Sequence, residues 1–77
     1  MEIEYAPHAE MKIAKRELSK IHIEKVLKNP DRILDGKERR KIAQKAIGEY
    51  LLRVVFEKDG NTYKVITAYY SKPERYG

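Results

Sequence analysis

Two runs of β-branched and aromatic residues, 50–57 (YLLRVVFE) and 62–70 (TYKVITAYY), flank Lys58-Asp-Gly-Asn61 and constrain the chain more than any other feature. Such runs around an Asp-Gly pair signal a β-hairpin, because a type I′ turn needs positive φ at both central positions. A hairpin fixes register, and register fixes which side chains share a face. With Asp59 and Gly60 as the loop residues, Tyr50, Leu52, Val54 and Phe56 lie on one face with Tyr63, Val65, Thr67 and Tyr69. The other face carries Leu51, Arg53, Val55, Glu57, Thr62, Lys64, Ile66, Ala68 and Tyr70. The first set can be buried almost whole, whereas the second interleaves cations and a phenol with aliphatic residues in mid-strand. A lone hairpin is marginal in water. The rest of the chain must therefore cover the apolar face, and the mixed face becomes the candidate functional surface.

The chain of 77 residues allows one domain with a single thin core and about two layers. With 38% of residues charged, most positions face water, yet the aliphatic residues are too periodic for a disordered chain. The absence of cysteine removes disulfides, thiolate catalysis and cysteine zinc sites. No apolar run approaches membrane-spanning length, and the N-terminus Met-Glu-Ile-Glu is acidic where a signal peptide is basic, so a soluble cytoplasmic protein with no membrane partner is expected. The net charge of +5 is placed unevenly: residues 37–45 contain five cations and one acid, while residues 1–20 and 21–36 each sum to zero. Such a patch suits a phosphate backbone, an acidic protein or an anionic surface, and it also suits a solvated Lys/Glu-rich exterior.

Ile3 and Tyr5 alternate with Glu2 and Glu4 as in a short strand. Pro7 suits a first helical position, with Ala9 and Ile13 on one face of the helix that follows. Ser19 caps a second helix whose stripe is Ile23, Val26 and Leu27, and Asn29-Pro30 stops it. Both helices are too short to persist alone in water, so they are expected as a lid for the sheet. Residues 37–51 are ambiguous. Ile42, Ala43, Ala46, Ile47, Tyr50 and Leu51 recur at helical spacing. As a strand, the same segment sets Arg40, Ile42, Gln44 and Ala46 on one side and Arg39, Lys41, Ala43 and Lys45 on the other, with Gly48 bending the chain into the next strand.

The order Pro7-His8-Ala9, Lys15-Arg16, a Ser19-started helix ending in Asn29-Pro30, Leu-Arg-Val-Val (52–55) and Val-Ile-Thr-Ala-Tyr (65–69) resembles a family of short proteins of unknown function related to BrnT and RelE toxins. The resemblance covers nearly the whole chain. It implies an α+β fold with two N-terminal helices packed on one face of a small antiparallel sheet, the opposite face receiving RNA. Elements are then expected as helices at about 7–17 and 19–28 and strands at about 2–5, 32–35, 39–47, 49–58 and 61–70. It thus implies a strand at 39–46, with Arg39, Lys41 and Lys45 expected beside Arg53 and Lys64.

Metal-independent RNA cleavage needs a base for the 2′-hydroxyl, cations around the phosphate and an acid for the leaving oxygen. Arg53 is the strongest candidate, since an arginine central in an apolar strand is costly unless it pairs or lines an anion site. A salt bridge to Glu57 or Glu49, or a snorkelling stem, is the structural alternative. His8 matches the early histidine of the resembled family and offers acid–base chemistry, or it fills the helix–sheet junction. The expected catalytic set is His8, Arg53, Arg40 and Tyr70. The expected RNA-binding set is Arg16, Arg39, Lys41, Lys45, Lys64, Arg75 and Tyr76. Tyr70 and Tyr76 are preferred over Tyr69, which falls on the presumed core face. Exposed aromatics beside cations suit single-stranded RNA. His22 is expected at the surface. Two histidines with no cysteine predict no metal site, and four scattered glycines exclude a glycine-rich phosphate loop, so no cofactor is expected. The partners expected are RNA, a cognate antitoxin protein and a second copy of the chain in a homodimer. Three readings stay open: a toxin-like endoribonuclease, a non-catalytic RNA- or protein-binding module, and an accessory protein whose basic patch meets an acidic partner.

Overall fold

The computed structural model describes residues 1–73. Along the chain lie β1 (Glu2–Tyr5), α1 (Pro7–Lys15), α2 (Lys20–Lys28), β2 (Arg32–Asp35), β3 (Arg40–Ile47), β4 (Tyr50–Asp59) and β5 (Thr62–Ser71). The fold is α+β, with both helices on one face of a five-stranded sheet ordered β1-β5-β4-β3-β2. Neither helix is long and apolar enough to cross a membrane. The expectation of a wholly antiparallel sheet is corrected at one edge, where β1 runs parallel to β5 with Ile3 opposite Tyr63 and Tyr5 opposite Val65. Alternation marks a strand without naming its neighbour. Here the helices carry the chain across the sheet to β2, and successive hairpins return it beside β1.

Both helices begin and end for local reasons. Pro7 opens α1, and Ser19 caps α2 by accepting the His22 N–H at 3.4 Å. Helix α1 stops at Lys15, two residues before the expected end, in a Schellman motif: Leu18 N–H donates to the Ile13 carbonyl and Glu17 N–H to the Ala14 carbonyl. Glu17 supplies the left-handed residue with φ of 55°. Leu18 then packs against the buried core to which Ile13 belongs, in keeping with the apolar contact that accompanies the motif. Ala9 and Ile13 of α1 with Ile23, Val26 and Leu27 of α2 cover Ala43, Leu52, Val54, Phe56, Val65 and Ala68 of the sheet.

Residues 40–47 form a strand, and its helix-like spacing is an accident of two alanines. Ala43 is buried under the helices while Ala46 is exposed on the opposite side. Gly48 and Gly60 each open a two-residue hairpin loop with positive φ. The β4–β5 turn differs from the expected one. Asp59 pairs with Thr62, so Gly60 and Asn61 are the loop residues, and only Gly60 has positive φ, the pattern of a type II′ turn.

This change moves the register by two residues and leaves the faces intact, but a β-bulge does not. Phe56 pairs with Val65 while Val55 pairs with Thr67, so Ile66 is an extra residue and the facing of β5 inverts beyond it. Ala68 and Tyr70 therefore join the helix side, and Thr67 and Tyr69 join the face of Arg53, the reverse of the expected assignment. Packing supplies the reason. Ala68 is fully buried beneath the helices, in a space that the ring of Tyr69 could not share.

Candidate functional site

The face of the sheet away from the helices is organised in cross-strand rows. Toward the β4–β5 turn, Arg40, Glu57, Lys64 and Glu4 stand opposite one another across β3, β4, β5 and β1, alternating in sign. The next row is Leu34, Ile42, Val55 and Thr67, and the one after it Arg32, Gln44, Arg53 and Tyr69. Leu51 and Ser71 close the face at the far end.

Arg53 is the centre of this surface. It is 5% exposed, its Nη1 donates to Gln44 Oε1 at 2.8 Å and its Nε to the Tyr69 hydroxyl at 3.1 Å. Gln44 is itself 2% exposed. Acceptors on the two flanking strands, Gln44 on β3 and Tyr69 on β5, thus orient the guanidinium plane. A planar fork held in one orientation is suited to bidentate contact with phosphate or carboxylate oxygens.

Arg16 reaches the same face from the end of α1. Its Nη1 donates to the Ala68 carbonyl at 2.8 Å and to Thr67 Oγ1 at 3.4 Å. β1 pairs with β5 only as far as Val65, so Arg16 takes up a β5 edge carbonyl that β1 does not reach and sets a cation at the rim beside Thr67.

The other expected site residues are dispersed. Arg40 lies on the face of Arg53, but four residues along β3 from Gln44, roughly 13 Å away at strand spacing, with Nε 3.5 Å from Glu57 Oε2. Arg39 and Lys64 border a groove at that end with Glu4, Glu57, Lys58 and Asp59, where the signs balance. Lys41 and Lys45 are on the helix side, not beside Arg53, because the β3–β4 register sets them opposite Phe56 and Leu52. Lys41 pairs with Asp35 at 2.6 Å, and Lys45 donates to the Asn29 carbonyl at the end of α2 and to Asp31. His8 is exposed on the outer side of α1 beside Met11 and Lys15, and His22 is in α2, so the structure brings neither histidine to Arg53. Tyr70 is on the helix side, paired edge to face with Tyr50. Arg75 and Tyr76 lie outside the described residues.

Three residues beside Arg53 or at its rim escape the sequence reading. Gln44 was legible: a two-residue loop at Gly48-Glu49 sets Gln44 opposite Arg53 by counting alone. Tyr69 and Thr67 were not, since no residue pattern announces the bulge at Ile66.

Among the described residues no three His, Cys, Asp or Glu side chains cluster as metal ligands. The perturbed ionisations among the described residues are those of Asp31, Asp35 and Tyr5, none of which bonds to Arg53. The Ala46 N–H, and then Lys45, hold the Asp31 carboxyl below its ordinary range, and Lys41 does the same for Asp35. Burial, with Glu24 and Glu10 nearby, raises the Tyr5 phenol, whose hydroxyl has no hydrogen-bond partner among the described residues. Both carboxylates extend or close strand β2, a structural task. No curated protein and no solved structure matches the chain. Residues 5–70 match the domain of unknown function DUF4258, and the chain belongs to that family.

Proposed function

We propose that the face of the sheet opposite α1 and α2 binds an RNA backbone, with Arg53 as its principal phosphate contact, in a protein of RelE/BrnT-like arrangement and toxin-like, metal-independent action. The observation that carries this reading is a buried arginine whose fork is oriented by Gln44 and Tyr69 on the face of the sheet opposite α1 and α2. Arg32 at one end of its row and Arg16 beside Thr67 add flanking cations, so an extended phosphate chain crossing the strands meets positive charge in succession. The ion ladder of Arg40, Glu57, Lys64 and Glu4 is electrically balanced and contributes little.

A cleavage step has one specific observation in its favour. The Tyr69 hydroxyl sits 3.1 Å from Arg53 Nε, which joins a proton-bearing phenol to a phosphate-binding cation on one surface. In this reading Tyr69 takes the role expected of Tyr70, and His8 has none. The test is incubation of purified protein with labelled RNA in EDTA. Fragments ending in 2′,3′-cyclic phosphate support cleavage, and a salt-sensitive gel shift with intact RNA supports binding alone. No shift and no fragments would remove RNA from the account.

A further inference from the structure

The helix side of the sheet carries an aromatic feature that the helices leave uncovered. Tyr50 stands opposite Ile47 and Tyr70 opposite Leu52, so both point to the helix side at the end of the β3–β4–β5 ladder. The helices bury Leu52 completely but leave Tyr50 47% and Tyr70 39% exposed. Their ring centroids are 6.3 Å apart with planes at 66°, an edge-to-face pair in which one ring supports the other and outer ring surface stays in water. Ser71 and Lys72 complete a groove of 380 Å³, at the small end of the roughly 300–1,000 Å³ of small-molecule sites. Lys72 makes no ion pair with any described residue.

From this arrangement we infer that Tyr50 and Tyr70 form a stacking platform for one unpaired nucleobase, with Lys72 meeting the adjoining phosphate. The inference rests on the proposed RNA-binding function and adds to it the strand state of the ligand: single-stranded at this end. Ser71 links the two surfaces. It lies on the face of Arg53, opposite Leu51, and also lines the tyrosine groove. A strand crossing the sheet at Arg53 travels two or three residues toward the sheet end, roughly 7–10 Å, before turning over Ser71 onto the rings. Stacked base planes in a duplex offer no free face to these rings, whereas every unpaired base does, so the site selects strand state and not sequence.

The test is titration of the full chain with a short labelled single-stranded RNA, its duplex, and a version with one abasic position moved along it. Tyr70→Leu and Tyr50→Leu should each weaken single-strand binding about tenfold, Tyr70→Phe should bind as the parent does, and duplex binding should not change. Tyrosine emission should be quenched by the single strand and less so in Tyr70→Leu. Circular dichroism of each variant confirms that the sheet is intact. Single-strand affinity and quenching unchanged in folded Tyr50→Leu and Tyr70→Leu, with Arg53→Met still weakening binding, would overturn the platform and leave the RNA-binding face standing. Displacement by polyglutamate as effective as by single-stranded RNA would overturn it in favour of an acidic protein partner. RNA bound by no form of the protein would overturn both.

Discussion

Replacing Arg53 by methionine removes a buried charge while keeping an unbranched stem of similar reach, so packing is largely conserved. Among the described residues the loss then falls on two acceptors. Gln44 Oε1 loses a 2.8 Å bond from Arg53 at a site 2% exposed, and an unpaired buried acceptor costs about 1–3 kcal/mol. The Tyr69 hydroxyl is partly buried and can turn toward water, adding less than about 1 kcal/mol. Arg53→Met should therefore lose about 2 kcal/mol. A domain of this size has roughly 4–12 kcal/mol in total, so the variant stays folded with Tm lower by about 10 °C. In Gln44→Leu/Arg53→Met the buried Gln44 acceptor leaves together with its donor and only the partly buried Tyr69 hydroxyl has to turn to water, so the double variant should regain at least about 1 kcal/mol over Arg53→Met. Urea unfolding of the parent, both single variants and the double variant measures this coupling. The double variant should be nearly as stable as the parent yet bind RNA weakly, with a salt slope smaller by about 0.7 for the lost phosphate contact. Strictly additive single losses would refute the assigned partnership of Gln44 and Arg53. A stable double variant with parental RNA affinity would refute the role of Arg53 in binding.

Glu17 occupies a left-handed position at the end of α1, so Glu17→Gly should stabilise the protein by about 1 kcal/mol, read as a rise in Tm. Tyr5→Phe removes a buried hydroxyl without a partner among the described residues and should raise stability by about 1 kcal/mol at neutral pH. Because the Tyr5 phenol is raised in the fold, its contribution is complete below the ordinary tyrosine range and is lost as pH climbs through the raised value; alkaline unfolding of Tyr5→Phe should lack that part. Asp31 is depressed by the Ala46 N–H and by Lys45, so its contribution is present above the ordinary carboxylate range and is lost as pH falls through the lower folded value. The stability gap between the parent and Asp31→Ala should accordingly close in acid, measured by urea unfolding along a pH series. Lys41→Met/Lys45→Met, on the helix side, should leave RNA affinity close to parental in the same gel-shift assay, whereas Arg16→Met should weaken it.

The parts of this protein legible in the residues are those governed by local periodicity. Apolar spacing and the Pro7, Ser19 and Asn29-Pro30 signals mark both helices, and alternation in Leu52, Val54 and Phe56 places Arg53 on the opposite side of β4. A two-residue pleat leaves no other option within a strand that carries no extra residue. What lies across from each residue is settled elsewhere. The parallel docking of β1 depends on where the hairpins return the chain, and Lys41 and Lys45 follow the β3–β4 register to the helix side. The site itself turns on Ile66. One extra residue in β5 lets Ala68 fit beneath the helices and swings Tyr69 to Arg53, while Tyr70 goes to Tyr50. That choice belongs to close packing of the core against α1 and α2, a volume constraint between segments distant in sequence that no pattern within residues 62–70 records.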